Sequence, residues 1–277
     1  MFRNRKLLIW PCAWGVMGSL FVSSECLPSL PQSAMAMDAQ ADFEVDVDGD
    51  REGTAALNWT TIARGFDPNV WGEQEKAPNR IRFTNGNPLQ AEIRLRDGDT
   101  GVISSDLDRE RAELFLFYRV LDNWFRSHRF VRLSYELKLG RDFKVNQQED
   151  GSRRIFQIKA SKGTGKPVFD VNIEGGIMQI RRNPSSNGSA KPVILAEGPA
   201  PDPRKNEWIP VRLEAHFTNN SDGYLLMRVG KLTVNYQGST QHGSRLNNFK
   251  IGEYRNEAYS SGNEPHLIRD AWLRVAQ

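Results

Sequence analysis

The sequence predicts an all-β fold, an antiparallel β-sandwich or jelly roll, and three observations favour this class. From residue 80 onward, short runs in which apolar and polar side chains alternate follow one another along the chain. Dipeptides typical of tight turns separate these runs. Helical periodicity is scarce, and the one stretch that fits it, residues 106–117, fits a strand equally well. Many short strands in one chain are typical of two packed antiparallel sheets.

The predicted strands and turns follow one another at regular spacing. The strands are predicted at 90–96, 113–120, 130–139, 154–160, 168–173, 176–182, 208–217, 224–229, 231–236, 248–255 and 267–275. The turns include Asn85-Gly86, Asp97-Gly98, Asp150-Gly151 and Asp222-Gly223. Segments 183–190 and 197–204 are rich in Pro, Gly, Ser and Asn and are interpreted as loops within one domain. Residues 80–277 therefore form the predicted jelly-roll domain, and residues 37–79 form an arm with its first strands.

The first 36 residues predict a secretory signal peptide. Arg3, Arg5 and Lys6 precede an apolar run at residues 7–22, and small residues follow, ending with an Ala-Met-Ala sequence at 34–36. An anchoring membrane helix is the weaker interpretation, because the run of 16 residues is shorter than the roughly 20 that span a bilayer. We expect a secreted or periplasmic protein that leaves the membrane once the signal is cleaved.

Charge and cysteine content exclude several functions for the predicted mature chain. Residues 37–277 contain 34 basic and 33 acidic residues, so no overall charge favours nucleic acid. Both cysteines, Cys12 and Cys26, lie in the predicted signal peptide. The mature chain would therefore have no disulfide, no cysteine nucleophile and no thiolate metal site.

An acidic run precedes the predicted domain. Glu44, Asp46, Asp48 and Asp50 alternate with other residues, which suggests a calcium loop or the paired carboxylates of a glycoside hydrolase. The glycine and distal glutamate of an EF-hand are not in place, and the run ends in a turn signal. A solvated arm is the favoured interpretation.

Three stretches place polar side chains on one face of a strand. In residues 248–255, alternation puts Lys250, Gly252 and Tyr254 on one face, with the glycine leaving a gap where a ligand could approach. In the same way Arg111 shares a face with Glu113. A further pair, Gln157 with Lys159, lies opposite the apolar Phe156 and Ile158. Any one pair is interpreted as a solvated face, but together they predict a surface rich in hydrogen-bond donors that suits a carboxylated sugar.

The order of these three motifs resembles the heparin-lyase-like polysaccharide lyases and, more distantly, the alginate and glucuronan lyases. Arg-Ala-Glu-Leu at 111–114, Gln-Ile-Lys at 157–159 and Phe-Lys-Ile-Gly-Glu-Tyr-Arg at 249–255 carry the resemblance. It extends over residues 80–277 and implies a concanavalin-like β-jelly roll. It also implies an enzyme that cleaves an acidic polysaccharide by β-elimination at a uronate residue.

The resemblance implies a role for each residue. Arg111 and Gln157 would bind and neutralise the uronate carboxylate, and Glu113 and Arg255 are counted with them as substrate-binding residues. Tyr254 would act as base, acid or both, with nearby cations favouring its phenolate. Arg111 and Lys250 are expected to supply those cations.

One position departs from the family pattern. Alginate-type relatives have a histidine where this chain has Lys159, and lysine is a poor base at neutral pH unless it is desolvated. Lys159 could still neutralise the carboxylate, leaving both proton transfers to Tyr254. Alternatively, one of the chain's four histidines could replace it, and His242, just before the 248–255 strand, is the preferred candidate over His128, His216 and His266.

The remaining expectations concern aromatic residues, metals and alternatives. Trp124, Trp208 and Trp272 are assigned to the core, and Trp71, in an apparent loop, to the ligand site.

No cofactor is required, although the resemblance implies a structural calcium to which Asp270 would contribute. We expect a monomer that binds an acidic polysaccharide. A non-catalytic carbohydrate-binding jelly roll and a glycoside hydrolase stay open as alternatives.

Overall fold

Residues from the predicted domain and its first strands make up the part of the chain that the structure describes. This structure is a computed structural model that describes residues 57–67, 69–75, 80–84, 90–96, 99, 109–116, 120–126, 129–146, 153–160, 166–184, 190–243, 247–256 and 264–277. All of them belong to one compact unit, Phe43–Gln277. The predicted signal peptide, the acidic run and His128 lie outside the described residues, so those expectations stay predictions.

The described residues form fifteen strands. Their bounds are β1 Thr60–Arg64, β2 Trp71–Glu75, β3 Ile81–Thr84, β4 Gln90–Ile93, β5 Arg109–Leu116, β6 Phe130–Lys138, β7 Arg154–Ala160, β8 Phe169–Glu174, β9 Ile177–Arg182, β10 Val193–Pro199, β11 Ile209–His216, β12 Tyr224–Val229, β13 Leu232–Gln237, β14 Asn247–Asn256 and β15 His266–Ala276. Helical structure within the described residues is limited to a π-helical turn at Leu121–Phe125 and a 3₁₀ turn at Pro203–Lys205.

The strands pair antiparallel into two sheets, which confirms the predicted sandwich. The first sheet has the order β13-β12-β11-β6-β15-β4-β3, and β1 also pairs with β15. The second sheet has the order β10-β9-β8-β7-β14-β5-β2. The ambiguous stretch near residue 110 is strand β5. The central strand β14 of the second sheet thus lies between β7 and β5, which bear the other two motifs.

Alternating side chains build the core between the sheets. In β6, for example, Val131, Leu133, Tyr135 and Leu137 are buried while the residues between them are half-buried. From the second sheet, the ring of Phe156 packs against Tyr135 at a tilt, with ring centres 6.3 Å apart. Each side chain buried in this way contributes about 1.5–3 kcal/mol. The opposite face of each sheet points away from this core.

The structure differs from the sequence prediction at the edge of the second sheet. Strand β10, Val193–Pro199, overlaps a segment that the sequence assigned to a loop. Its side chains are exposed or half-buried, with Val193 and Ile194 each about half exposed. An edge strand with little buried surface has no strict alternation, and the sequence pattern therefore does not reveal it. Within the described residues, no helix is long and apolar enough to span a bilayer.

Three of the four tryptophan assignments are wrong. Trp71 does not lie in a loop at the ligand site: it begins β2, is 1% exposed and belongs to the core cluster beside Phe66. Trp208 and Trp272 do not lie in the core: they are half-buried on the outer face of the first sheet. Trp124 packs against the core as expected. Whether a tryptophan side chain is buried or exposed depends on the register in which its strand pairs with the neighbouring strands. Composition alone does not reveal that register.

Candidate active site

The three motifs meet on the outer face of the second sheet. Strand pairing sets Tyr254 opposite Arg111 and Gly252 opposite Glu113 on β5. On the other side of β14, Lys250 is opposite Gln157 on β7. Paired residues point to the same face of a sheet. The predicted convergence of polar side chains from β5, β14 and β7 is therefore present in the structure.

Gly252 allows a close approach of two strands. Its φ is 144°, a conformation that L side chains rarely adopt. A Cβ atom there would overlap the carbonyl oxygen of Ala112 and lie 2.9 Å from the Cα of Glu113. The β14–β7 register also shifts between Ile251 and Tyr254, as at a β-bulge. The close contact between β14 and β5 therefore requires glycine at this position, and the interpretation that it also leaves room for a ligand stays a prediction.

Glu113 lies at the centre of the donor cluster. Its Oε1 accepts a hydrogen bond from Nε2 of Gln157. Its Oε2 lies 3.4 Å from Nε of Arg111 and 3.7 Å from Nζ of Lys250. Both side chains of the closer ion pair are almost fully buried, at 3% and 2% exposure. One carboxylate therefore holds Arg111, Gln157 and Lys250, three of the donors that the sequence assigned to the site, and this role was not foreseen.

Two guanidinium groups lie against the ring of Tyr254. The Cζ atom of Arg111 is 4.5 Å from the ring centre, and that of Arg154 is 5.4 Å away. Arg154 is opposite Tyr254 in the β14–β7 ladder. Cations at these distances are attracted by the face of an aromatic ring. The expected cation Arg111 is in place, and Arg154 is a second one that the sequence reasoning missed.

Asp170 fixes Arg154 from the neighbouring strand. Its Oδ2 lies 3.0 Å from Nε of Arg154, and its Oδ1 lies 2.7 Å from Nε of Arg181. Asn183 donates a further hydrogen bond to Oδ2 at 3.2 Å, and Asp170 itself is fully buried. A sequence signal existed, because Asp170 and Asn172 alternate with apolar residues along β8. Its meaning depended on the pairing with β7 and β9, which the sequence does not state.

Lys159 lies along the same face but at a distance from Tyr254. It is opposite Asn248, six residues before Tyr254 on β14. At about 3.3 Å per residue, the two Cα atoms are on the order of 15–20 Å apart. Lys250 and Gln157 thus lie between Lys159 and Tyr254 on the outer face of the second sheet.

His242 lies at the margin of the second sheet. Its Nε2 is 2.8 Å from the carbonyl oxygen of Asn183, so this nitrogen carries the proton and donates. Burial lowers the pKa of His242; the hydrogen bond to Asn183 opposes the shift, and the charge of Arg182 adds to it. Burial thus favours the neutral imidazole. These contacts place it beside the end of β9, and its catalytic role stays a prediction.

The other two described histidines have structural contacts. His216 stacks on Phe130 with ring centres 4.4 Å apart. His266 is buried, accepts a hydrogen bond from the Gly140 amide through Nδ1 and lies 3.2 Å from Oε2 of Glu253 through Nε2. Neither has a contact that directs it to the face of Tyr254.

Arg255 points into the sandwich, so its assignment to the substrate-binding surface is wrong. It is fully buried, and its Nη2 lies 2.5 Å from Oε2 of Glu110. On the same buried side, Glu253 pairs with Arg153 at 3.3 Å and with His266. The alternation that brings Tyr254 to the outer face necessarily takes both of its neighbours to the inner face.

Asp270 has no metal-binding surroundings within the described part of the chain. It lies in β15 with a φ of 55°, is 44% exposed and forms an ion pair with Arg269 at 3.3 Å. Burial raises its pKa, an effect that Arg269 opposes and Glu136 reinforces. No group of three or more His, Cys, Asp or Glu residues that could hold a metal ion occurs among the described residues. Calcium binding through Asp270 stays a prediction.

Comparisons with known proteins agree with this architecture. No curated protein matches the sequence. A double variant of the family 7 alginate lyase A1-II′, solved with its substrate, has a TM-score of 0.54 at 12% identity, covering 76% of this chain and 94% of that one. An alginate lyase from Pseudomonas aeruginosa has a TM-score of 0.51 at 13% identity, covering 76% of this chain and 100% of that one. At such identities the likeness shows the fold alone.

The family assignment comes from the sequence itself. A family model described as polysaccharide lyase matches residues 50–272, which includes every strand of both sheets up to the middle of β15. The two antiparallel sheets agree with that match. We conclude that this chain belongs to the polysaccharide lyase family.

Proposed function

We propose that the protein is a secreted lyase that cleaves a uronate-containing polysaccharide by β-elimination. The observation that carries the proposal is the pairing of Arg111 with Tyr254, whose ring lies 4.5 Å below the guanidinium group. Next to this pair and on the same face, Glu113 accepts a hydrogen bond from Gln157 and lies 3.7 Å from Nζ of Lys250. The finer expectation of a heparin-lyase-like specificity stays a prediction.

The reaction requires a base, an acid and a stabilised anion. The base removes the proton at C5 of the uronate, a double bond forms between C4 and C5, and the C4–oxygen bond breaks. Tyr254 takes the C5 proton as phenolate and returns it to the departing glycosidic oxygen, so no proton is gained or lost over the cycle. The adjacent charges of Arg111 and Arg154 favour the phenolate that starts the cycle.

The anion that forms as the C5 proton leaves is stabilised through the carboxylate of the uronate. Arg111 and Gln157 donate to this carboxylate, and donors fixed in advance cost little reorganisation during the reaction. Glu113 does not contact the anionic substrate in this proposal, because like charges repel. It acts as a positioning residue by holding Arg111, Gln157 and Lys250.

Lys159 binds a different sugar from the one that reacts. Its backbone lies on the order of 15–20 Å from that of Tyr254 along the groove. A lysine at that position attracts the carboxylate of another residue of the same chain. This role does not require a lowered pKa, so the missing histidine is compatible with activity.

Absorbance near 235 nm tests the proposal, because the unsaturated product of β-elimination absorbs there. We expect the absorbance to rise when the protein is mixed with alginate or glucuronan, and Tyr254→Phe to abolish the rise while leaving the melting temperature unchanged. Tyr236→Phe, a tyrosine on the other sheet, is the matched control and should stay active. If Tyr254→Phe retained full lyase activity, the assignment of base and acid would be wrong.

A non-catalytic carbohydrate-binding protein is the second candidate. The observation that favours it is Lys159 in the position where alginate-type relatives carry histidine. Polymer binding without any rise in absorbance would support it. New reducing ends without absorbance would instead support the glycoside hydrolase that the sequence left open.

A further inference from the structure

The outer face of the first sheet, on the other side of the sandwich from Tyr254, carries three tryptophans, each stacked with an arginine. Arg132 lies over Trp59 with Cζ 4.1 Å from the ring centre. Arg274 lies over Trp272 at 3.9 Å, and Arg269 lies over Trp208 at 4.0 Å. All three indoles are half-buried. These six side chains are called the tryptophan row.

The register places the row along the two central strands. Lys138, whose Nζ is 4.8 Å from the Trp208 ring centre, marks one end on β6. Trp272 is opposite Ser134 and Arg274 is opposite Arg132, which lies towards the other end. Six residues separate Lys138 from Arg132, so the row is about 20 Å long at roughly 3.3 Å per residue. It is long enough to contact several sugars of one extended chain.

Positive charge dominates this face. Among the described residues, its strand positions carry eight Lys or Arg side chains and four Asp or Glu side chains. Three of the four carboxylates are already paired, Glu214 with Arg132 at 2.7 Å, and Glu136 and Asp270 with Arg269 at 2.6 Å and 3.3 Å. The predicted mature chain is almost neutral overall, so this face has a positive excess that the rest of the molecule lacks.

The cations cluster most closely around Trp272. Arg64 is opposite Trp272 in the β1–β15 ladder, next to Arg274 and Arg132. Burial lowers the pKa of Arg274, and the charges of Arg132 and Arg64 lower it further. The Nε atom of Arg274 is buried without a hydrogen-bond partner among the described residues. An anion at this point would relieve the repulsion between these guanidinium groups.

From these observations we propose that the tryptophan row is a second binding surface for a carboxylated polysaccharide chain, distinct from the groove at Tyr254. Stacking on an indole uses the flat face of a guanidinium group and holds it in place, while those N–H groups on its edge that are not already bound to a carboxylate of the protein can donate to a carboxylate of the polymer. A polymer held there would keep the protein close to its substrate between cleavage events. The choice of occupant rests on the substrate class proposed above, although the binding itself requires no lyase activity.

Affinity electrophoresis through gels containing alginate tests this surface. We expect the double variant Arg64→Gln/Arg274→Gln to bind alginate about fivefold more weakly than the unaltered protein at low salt, since each exposed charge contact contributes modestly. The matched control is Arg204→Gln/Lys205→Gln, which removes two exposed charges from the 3₁₀ turn and should keep the original affinity. Salt at about 0.5 M should abolish the retardation, because it screens exposed charges.

Activity on a short oligouronate separates this proposal from the first one. Such a substrate fills the groove at Tyr254 alone, so the Arg64→Gln/Arg274→Gln variant should cleave it with unchanged kcat/KM. If the protein shows no lyase activity at all, the gel experiment still tests whether the tryptophan row binds alginate. Should the double variant fail to fold, Arg64→Glu alone, at an exposed position, replaces it.

Three outcomes would overturn the proposal. The first is equal affinity of the double variant and the unaltered protein for alginate, or an equal loss in the Arg204→Gln/Lys205→Gln control. The second is equal retardation by neutral dextran, which would show that charge does not select the ligand. The third is a dimer in solution that the double variant converts to a monomer, which would assign the face to a second copy of the chain.

Discussion

Glu113 and Gln157 are joined by a hydrogen bond across a strand that lies between them. Glu113 belongs to β5 and Gln157 to β7, and the intervening β14 has no side chain at Gly252 to separate them. Lys250 and Tyr254 flank Gly252 on this face. They therefore lie on either side of the bridge that the hydrogen-bonded side chains of Glu113 and Gln157 form across β14.

Replacing Glu113 tests whether it positions the donors. Glu113→Gln keeps the shape but removes the charge that holds Arg111 and Lys250. We expect kcat/KM on a uronate polymer to fall at least tenfold, about 1.4 kcal/mol of transition-state stabilisation. Glu207→Gln, at an exposed loop position, is the matched control with the same loss of charge. Unchanged kinetics in Glu113→Gln, measured by absorbance, would contradict the positioning role.

Replacing Asp170 tests the second cation at Tyr254. Asp170→Asn removes the carboxylate that fixes Arg154 beside the ring of Tyr254. Because Arg154 is then less firmly positioned, we expect kcat/KM on a uronate polymer to fall about tenfold, or about 1.4 kcal/mol of transition-state stabilisation. Arg181→Gln alters a partner of the same carboxylate without touching the ring, so its kcat/KM should stay close to that of the unaltered enzyme. Equal kcat/KM values for Asp170→Asn and the unaltered enzyme would refute this role.

Glu253 and His266 form a buried ion pair beneath the candidate active site. Because of this pair, the free energy of unfolding is expected to depend on pH in the acid range. Burial alone would raise the pKa of Glu253, but the hydrogen bond from His266 and the charges of His266, Arg153 and Arg255 lower it to about 2. The unfolded chain therefore binds more protons than the folded one below about pH 4.5. The stabilisation, about 3 kcal/mol, is complete above that pH and is lost as the pH falls towards 2.

A melting experiment on Glu253→Gln checks this sign. At pH 7 we expect the variant to melt well below the unaltered protein, because Arg153 and Arg255 lose a buried partner. The difference should shrink steadily as the pH is lowered from 4.5 to 2. Asp222→Asn, at an exposed turn, should show no such convergence. A gap that stayed constant down to pH 2 would be incompatible with the low pKa of Glu253.

Two glycines with positive φ offer a matched pair. Gly252→Ala combines a φ of 144° with overlap of the Ala112 carbonyl oxygen, and we expect a loss of about 3 kcal/mol or more in the free energy of unfolding. Gly243→Ala has a φ of 70° and open space around the added methyl group, so about 1 kcal/mol is expected. Urea denaturation measures both. Equal losses of stability in the two variants would mean that the close contact between β14 and β5 is not the reason why position 252 requires glycine.

Alternation along a strand was enough to predict part of the site. The faces of Lys250 and Tyr254 on β14, and of Gln157 on β7, follow from a period of two residues. The same period also implies that Arg255 faces the core, and its assignment to the substrate followed from its place in the motif instead. Here the physical pattern was the better guide.

Partners across strands could not be predicted in the same way. Arg154 and Asp170 are separated by sixteen residues, and Arg111 and Tyr254 by more than a hundred. Their contacts depend on which strands pair and in which register, and one residue of slip would place them on opposite faces. The tryptophans show the same limit, because Trp71 and Trp272 both occupy strand positions and only the pairing determines which of them is buried.

Side chains on both faces of strand β14 form ion pairs. Even-numbered residues from Lys250 to Tyr254 belong to the outer cluster, and the odd-numbered Glu253 and Arg255 belong to the buried one. Inserting or deleting a single residue in this strand would therefore send charged groups into the wrong environment on both sides at once. The length of β14 is thus expected to be among the least changeable features of the chain, even where individual side chains can be replaced.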